Sequence, residues 1–368
     1  MVVHTVGKYR PICHTKYGLL CYRKEKLYLL NEVTDEIRLL SVCPIEDKRR
    51  IMCFTDFLSE RVAHLTVYCG IEVENGALIA FNRGIYFVNL KTGCIRKEFN
   101  FELPDMRRPL NFYKIEKIDG FDDTIICPDY SYNEDRKEVN IYARSNNGEW
   151  KVVYTFPAGS IRHIHSIIQD PYRNRVLILT GDLDSESTIW EAKNNFKKIK
   201  PIVGKQQRYR ACCAKAFKQG VLIVTDSPFD TNYAYIVEEK TVTDINCVAQ
   251  IKGPTVFFNS YKNNIIFATD VEENEKLRKG IRQYISNQKG PGCADWNVHM
   301  YVANEDLVVT EILTLEKDCW PLVPFTFGNI HFPNGQVDGK IYFYPISVKK
   351  YSQKLCYIDT KDVMGLTE

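Results

Sequence analysis

A repeated motif, a short apolar run that ends in Asp, constrains the fold of this chain more than any other feature. The motif occurs at Val176–Asp182, Val221–Asp226 and Asn264–Asp270, and its Asp residues lie 44 residues apart. Similar apolar runs with more divergent ends occupy four other segments: Gly18–Arg23, Ala77–Asn82, Thr124–Asp129 and Lys340–Tyr344. A recurrence of about 45–50 residues is typical of solenoids and β-propellers.

The segments that follow each apolar run favour the propeller. After Asn82 come two short strand-like segments, Gly84–Asn89 and Cys94–Phe99, which are separated by a Lys-Thr-Gly turn. Lys26–Leu30 and Glu36–Val42 repeat this pattern after the first run. Each unit is therefore predicted to be four short strands joined by turn residues, the make-up of a propeller blade. Because such repeats bury their faces only against their neighbours, the blades must close into a ring.

We therefore predict an all-β protein, a seven-bladed β-propeller of four-stranded blades that forms a single domain over residues 1–368. The last blade has three clear strands and ends near Asp359, so the N-terminal strand, at Val2–Val6, is expected to complete it and close the ring. Lys48–Arg61 is expected to be partly helical. Residues of about 271–294 form a polar insertion, because they are rich in Glu, Lys and Arg.

Composition limits the classes of partner. The chain carries 49 basic and 46 acidic residues, a formal net charge of +3, which gives no reason to expect nucleic acid as a partner. No apolar run is long enough to cross a membrane, and no signal peptide is recognisable, so we expect a cytoplasmic protein with no membrane partner. The 13 cysteines are irregularly spaced and show no Cys-x-x-Cys pair, so no metal ligands are assigned and most thiols are expected to be free and buried.

Two stretches resemble known propellers. The segment 141–150, with Ser145, Asn147, Gly148 and Trp150, resembles the Asp-box hairpin of sialidase-like (BNR) propellers, in a degenerate form. The set Arg162–His165, Thr180–Asp182 and Arg208–Arg210 resembles glycosidase-like propellers found among polysaccharide genes. The resemblance implies a carbohydrate-active propeller of the glycoside hydrolase or polysaccharide lyase type.

Blade geometry predicts the site independently. The innermost strand of a blade crosses the ring and the second strand returns, so the start of the first and the end of the second lie on one face. That face collects Arg and His from the strand starts and Asp from the strand ends. The predicted catalytic residues are His163, His165 and Asp182, where the two histidines share one face of a strand. The predicted substrate-binding residues are Arg10, Arg162, Arg208, Arg210 and Asp226.

Arginine forks bind carboxylates, and histidine exchanges protons near neutral pH, so an acidic glycan or oligosaccharide is the expected partner. Hydrolysis between paired carboxylates and β-elimination next to a uronate carboxylate are both compatible with these residue types. The alternative is a non-catalytic propeller that serves as a platform for a ligand or protein. No cofactor is expected, although a His/Asp funnel is also able to hold a divalent cation. The Asp residues at the strand ends have a structural alternative as caps of the adjoining turns.

The cysteine pattern generates a first test. Alkylation of the denatured but unreduced protein, followed by mass spectrometry, should modify nearly all 13 thiols, because an odd number of irregularly spaced cysteines indicates no disulfide framework. Full reduction before alkylation is the control and should leave the modified set unchanged. Several reproducible bridged peptides would contradict the expectation.

Overall fold

The computed structural model describes residues 1–45, 48–101, 108–238, 245–274 and 287–365. Within these ranges, 28 strands form seven four-stranded antiparallel sheets, each a blade. The predicted seven-bladed all-β propeller is therefore confirmed. In six blades, four strands consecutive in sequence run from the innermost to the outermost position, and each strand after the first pairs with the strand that precedes it.

The strands are numbered β1–β28 in chain order. The chain begins with β1 (His4–Gly7) and continues with the strands of blades 1–3, β2–β13: Arg10–Thr15, Gly18–Arg23, Lys26–Leu30, Ile37–Val42; Val67–Val73, Gly76–Phe81, Gly84–Asn89, Ile95–Asn100; Tyr113–Ile115, Thr124–Pro128, Val139–Arg144, Trp150–Phe156. Blades 4–6 contain β14–β25: His163–Asp170, Arg175–Gly181, Thr188–Lys193, Lys198–Gly204; Ala211–Ala216, Val221–Thr225, Asn232–Val237, Ile245–Ile251; Thr255–Tyr261, Asn264–Thr269, Asn297–Ala303, Val309–Glu316. Blade 7 contains β26–β28: Asn329–His331, Lys340–Ile346, Leu355–Asp359.

The ring closes through the N-terminal strand, as the sequence predicts. Strand β1 pairs antiparallel with β28, where His4 is opposite Tyr357 and Thr5 is opposite Cys356. The His4 and Tyr357 rings stack with their centroids 4.8 Å apart. Val6 packs against a buried cluster that includes Leu19 of blade 1. The first strand of the chain therefore joins the last blade to the first.

Helical segments are short. The region predicted to be partly helical contains a 3-10 helix at Lys48–Phe54 and a π-helix at Leu58–Val62, which confirms that expectation. The other helical segments are the 3-10 turn Gln207–Tyr209 and the α-helical turns Leu322–Phe325 and Thr360–Met364. No helix in the described ranges is long and apolar enough to span a lipid bilayer. Half of the predicted insertion, residues 275–286, lies outside the described residues.

A β-bulge recurs at the same position of the innermost strand in five blades. In each, the pairing with the second strand skips one residue near the upper end of the strand. The skipped residues are Ile12, Tyr68, His165, Cys212 and Val256. A bulge bends the strand and re-aims one side chain, so the ring presents side chains around its axis that simple alternation along a strand does not predict.

One residue of blade 7, Asn334, forms hydrogen bonds with three other blades. The Asn334 N–H donates to the carbonyl of Ile12 at 3.0 Å, and its carbonyl accepts from the His14 N–H at 2.8 Å. Its Nδ2 donates to the Gly70 carbonyl at 2.6 Å and to Asn111 Oδ1 at 2.7 Å. The loop after β26 is therefore tied to blades 1, 2 and 3. Below this loop, on the opposite face, lies a second cavity of about 600 Å³.

Ring closure by β1 generates a second test. Deletion of residues 1–7 should lower the free energy of unfolding by about 2–4 kcal/mol, because it removes a strand's worth of hydrogen bonds and uncovers the buried cluster beneath Val6. Thermal unfolding monitored by circular dichroism measures the change. Deletion of Met1 and Val2, which are both exposed, is the matched control and should have little effect. Equal stability of the two truncated proteins would show that β1 does not close the ring.

Candidate functional site

The upper face of the ring, where the innermost strands begin and the second strands end, contains a cavity of about 870 Å³. Residues of blades 1–4, 6 and 7 line this upper cavity. The polar and aromatic side chains in its wall that bear on function are Arg10, Tyr68, Arg108, Tyr130, Tyr132, His163, Phe257 and His331.

Asp182, which directly follows β15, is the centre of a charged cluster beside the upper cavity. Its Oδ2 accepts a hydrogen bond from Arg162 Nη1 at 2.8 Å and lies 3.5 Å from His163 Nε2. Its Oδ1 lies 3.2 Å from His165 Nε2 and 3.3 Å from Arg210 Nη2. Arg210 Nη1 also donates to the Asp182 carbonyl at 3.2 Å. One carboxylate therefore connects side chains of blade 4 with an arginine of blade 5.

His163 is held from both sides. Its Nδ1–H donates to the Ser131 carbonyl at 2.8 Å, so a neutral imidazole has its lone pair on Nε2. That Nε2 lies 3.1 Å from His165 Nε2. The ring packs against Tyr130 with a centroid distance of 4.4 Å. Both nitrogens of His163 are therefore engaged inside the protein, and the edge of the ring forms part of the cavity wall.

His165 reaches the cluster because it is the bulged residue of β14. Pairing with β15 passes from Ile164 to Ser166 and leaves His165 out of the ladder. A Cβ atom at Gly181 would lie 2.8 Å from His165 Cε1, so only glycine at this position leaves room for the imidazole ring. The expectation that His163 and His165 share a face rested on strict alternation. The bulge breaks that alternation, yet the two Nε2 atoms still meet.

The electrostatics of the cluster differ between its two aspartates. Burial alone would raise the pKa of Asp182, but hydrogen bonds from His163 and His165 hold it well below its usual range. Burial raises the pKa of Asp226 although Arg210 opposes the shift. Asp182 is therefore an anion at neutral pH whose charge is shared between two guanidinium groups, while the pKa of Asp226 is shifted in the opposite direction.

The backbone at Asp182 is strained. Its φ of 153° lies in a region that glycine favours and other residues rarely adopt. The carbonyl of Asp182 accepts a hydrogen bond from Gln207 Nε2 at 2.9 Å in addition to the one from Arg210. Strained residues persist where the surrounding contacts over-determine them, and they concentrate at functional sites.

Arg10 lies on the opposite wall of the upper cavity. Its Nη1 donates to Glu60 Oε1 at 2.8 Å, and its Nη2 donates to His331 Nδ1 at 3.1 Å. Burial, with Arg10 and Arg108 nearby, lowers the pKa of His331 well below its usual range, so this imidazole is neutral at neutral pH. Glu60 Oε2 accepts a hydrogen bond from the Tyr344 hydroxyl at 2.8 Å.

The other predicted arginines take different positions. Arg162 Nε donates to the Tyr132 carbonyl at 2.9 Å, and its guanidinium lies 4.6 Å from the Tyr132 ring centroid. Arg208 belongs to the 3-10 turn and lies over the Tyr209 ring at 5.3 Å. The structure thus brings six of the eight predicted residues into one cluster. Arg208 makes no contact with that cluster among the described residues, and Arg10 lies on the other side of the cavity. The six are His163, His165, Asp182, Arg162, Arg210 and Asp226.

Sequence reasoning missed three residues that matter here. Cys212 Sγ donates to Asp226 Oδ2 at 3.4 Å, and the thiol is buried within the cluster. The Tyr68 ring lies beneath the exposed guanidinium of Arg108, whose Cζ is 4.1 Å from the ring centroid. Glu60 comes from the π-helix between blades 1 and 2. Tyr68 and Cys212 occupy the same bulge position in their blades as the predicted residue His165. A single sequence carries no recognisable pattern for a β-bulge, so this relation could not be predicted.

The site offers two distinct chemical settings. The Asp182 cluster is a set of mutually paired charges, so its arginines are already bound to a protein carboxylate. The upper cavity next to it presents Arg108 and aromatic rings to a ligand. The first setting can hold a proton or a metal ion, and the second can bind an anionic molecule.

No protein-family model matches the chain, and no curated protein matches it in sequence. The similarity to solved structures is extensive but remote. An oligogalacturonate lyase from Vibrio parahaemolyticus is 11% identical over 97% of this chain and 93% of its own, with a TM-score of 0.51. The AfRom2 CNH domain is 7% identical over 97% of this chain and 99% of its own, with a TM-score of 0.53.

A third similar structure is the extracellular domain of a putative one-component system from B. thetaiotaomicron, which is 9% identical with a TM-score of 0.50. The match covers 97% of this chain and 40% of the other chain. At these identities the likeness shows the β-propeller fold alone. None of the comparisons supports the Asp-box sialidase family in particular.

The two kinds of aspartate generate a third test. Asp182→Asn should lower the free energy of unfolding at pH 7 by about 3–5 kcal/mol, because it leaves Arg162 and Arg210 largely buried without their anion. Since the folded-state pKa of Asp182 lies well below its ordinary value of about 4, this stabilisation is fully present above about pH 5 and is lost as the pH falls through the depressed folded-state pKa. Urea unfolding at about pH 7, 4 and 2 measures both effects, and the loss is expected at the lowest pH.

Asp270 is the matched control, because burial and the nearby Glu272 raise its pKa well above the usual range and its buried Oδ1 has no hydrogen-bond partner within the described part of the chain. A raised folded-state pKa gives stability that is present at low pH and lost as the pH rises. Asp270→Asn should therefore stabilise the protein at pH 7 and lose that advantage at pH 4. A destabilisation of similar size in both variants would contradict the assignment of charge.

Proposed function

We propose that the protein is a carbohydrate-active propeller that binds an acidic sugar in the upper cavity. The observation that carries the proposal is the position of Arg108. Its guanidinium is exposed in the cavity and stacked on Tyr68, whereas Arg10, Arg162 and Arg210 are each paired with a protein carboxylate.

The size and lining of the cavity are suited to binding a small anion that contains a ring, such as an acidic sugar. A volume of about 870 Å³ lies within the range of about 300–1,000 Å³ that small-molecule sites occupy. Tyr68, Tyr132 and Phe257 present aromatic surface on which a sugar ring can pack. Arginine binds a carboxylate through two parallel hydrogen bonds, which suits a uronic or sialic acid.

In this proposal the Asp182 cluster positions the cavity wall. Asp182 and Ser131 fix the orientation of His163, and the imidazole then sets the position of Tyr130 beside the ligand. We assign the binding of the substrate carboxylate to Arg108 rather than to Arg210, because Arg210 already contacts Asp182 and lies 3.9 Å from Asp226. Hydrolysis and β-elimination both remain compatible with this arrangement.

The Asp-box resemblance contributes to the same proposal. The segment Ser145–Trp150 forms the hairpin between β12 and β13, where Gly148 has a φ of 89° and its N–H donates to the Ser145 carbonyl at 3.0 Å. Trp150 packs against Phe99 of blade 2 and against Phe112, which directly precedes the innermost strand of blade 3. These features support kinship with sialidase-like propellers through hairpin architecture rather than through the site.

One observation favours the alternative of a non-catalytic binding propeller. Both nitrogens of His163 are engaged by protein groups, so the residue best suited by type to exchange a proton does not offer a free nitrogen to the cavity. A ligand-binding platform needs only Arg108 and the aromatic wall.

Binding of acidic sugars tests the proposal. Calorimetry with a panel of uronate and sialate oligosaccharides should show binding, and Arg108→Gln should weaken it about 10- to 100-fold, because it removes one charge-assisted contact worth about 1.5–3 kcal/mol. Arg96→Gln is the matched control, since Arg96 is exposed on β9 and does not line the cavity. Equal losses in both variants, or no binding of any acidic sugar, would overturn the proposal.

The same panel, assayed for product release, separates the two candidate functions. Turnover that falls about 100-fold or more in His163→Gln would support a carbohydrate-active enzyme, because loss of a proton-transferring group has an effect of that order. Binding that depends on Arg108 without any turnover would support the non-catalytic alternative.

A further inference from the structure

Three side chains from blades 4 and 5 bring metal-ligating atoms together below the upper cavity. His165 on β14, Cys212 on β18 and Asp226 directly after β19 each offer one such atom, and these atoms lie within 4.8 Å of one another. All three residues are buried. The Cys212 Sγ lies 3.4 Å from Asp226 Oδ2, a separation close to that between two ligands of one tetrahedral ion.

Two atoms of this group are buried without a hydrogen-bond partner among the described residues, His165 Nδ1 and Asp226 Oδ1. Buried polar atoms in folded proteins are normally paired, so each of these needs an explanation. The Nε2 of His165 faces the Asp182 carboxylate at 3.2 Å, and a carboxylate only accepts hydrogen bonds. The proton of a neutral His165 therefore lies on Nε2, and Nδ1 carries a lone pair with nothing to receive it.

We propose that His165, Cys212 and Asp226 form a binding site for a divalent transition-metal ion of the Zn²⁺ type. A thiolate, an imidazole and a carboxylate are the ligand types that zinc selects, and three protein ligands leave a fourth position for water or another molecule. The ion would receive the lone pair of His165 Nδ1 and the unpaired oxygen of Asp226. It would also link the innermost strands of two neighbouring blades.

The surroundings of His165 match those of a metal ligand. Histidines that bind metals commonly donate their second ring N–H to a carboxylate, which fixes the ring and its tautomer. Asp182 is that carboxylate here, and it is itself held by Arg162 and Arg210. The alternative group of His163, His165 and Asp182 is less suited to a cation, because guanidinium groups already contact both oxygens of Asp182.

Binding requires the Cys212 thiol to lose its proton, so each ion bound as Zn²⁺ releases one proton from sulfur to solvent as the metal–sulfur bond forms. Since protons compete with the metal for the sulfur, metal affinity should increase with pH.

Cobalt is the probe for this site, because Co²⁺ replaces Zn²⁺ and gives a sulfur-to-metal charge-transfer band when a thiolate binds it. The experiment uses the full chain with the exposed Cys94, Cys247 and Cys319 changed to Ser, which removes adventitious thiol sites. We expect the band to saturate at one equivalent of Co²⁺ and to disappear when one equivalent of Zn²⁺ is added.

Cys212→Ser should abolish the band, whereas Cys213→Ser should retain it. Cys213 is the matched control because it is equally buried but packs on the other side of the strand, against Phe217 and Val224. Asp226→Asn keeps the shape of the side chain and removes its negative charge, so it should bind Zn²⁺ at least tenfold more weakly in calorimetry. Circular dichroism confirms folding of each variant.

Three results would overturn the proposal: no saturable band in the parent protein, a band that survives Cys212→Ser, or unchanged Zn²⁺ affinity in a folded Asp226→Asn variant. None of these measurements involves a sugar, so their outcome is independent of the function proposed for the upper cavity.

Discussion

Every blade of this protein depends on its neighbours, because a four-stranded sheet has two apolar faces and can cover neither alone. The buried clusters lie between blades: one contains Ile12 and Leu27 of blade 1 with Val67 and Ile79 of blade 2. An open row of blades would leave an apolar face exposed at each end, so the last blade must pack against the first. The antiparallel pair of β1 and β28 provides that meeting point, and it fixes the axis around which all upper-face residues converge.

Within the ring, Asp182 has a comparable role for the site. Its carboxylate is shared by two histidines of β14, by Arg162 and by Arg210 of the next blade. A buried anion of this kind is tolerated only where its partners compensate the loss of water. The cations are equally dependent on Asp182, so the whole group is fixed as a unit. The strained backbone at Asp182 is held in place by the same contacts.

The sequence predicts the fold well because repetition supplies the same information several times. Seven apolar runs, each followed by turn residues, coincide with the second strands of the seven blades. Blade 3 is the least regular: its innermost strand begins only at Tyr113, and Arg108 forms an isolated bridge with Tyr130 before it. The outermost strand of the last blade is also predicted correctly. The C-terminal segment supplies only three of the four strands of that blade, so the N-terminal strand must supply the fourth.

The site is less predictable because it depends on breaks in regularity. Arg208 and Arg210 are two residues apart, but the 3-10 turn Gln207–Tyr209 rotates the first away from the cluster that contains the second. The bulges bring His165 and Cys212 toward the axis, although alternation alone would not place them there together. Ligand atoms of the inferred metal site come from separate strands, so their spacing in sequence carries no recognisable motif.

Asn334 joins parts of the ring that are far apart in sequence. Propellers are often drawn as rings with an open central channel, but here one residue of blade 7 forms hydrogen bonds with blades 1, 2 and 3. It lines the lower cavity and also a narrow space of about 50 Å³, which shares Arg10 and His331 with the upper cavity. A substitution at this one position would therefore loosen four blades at once.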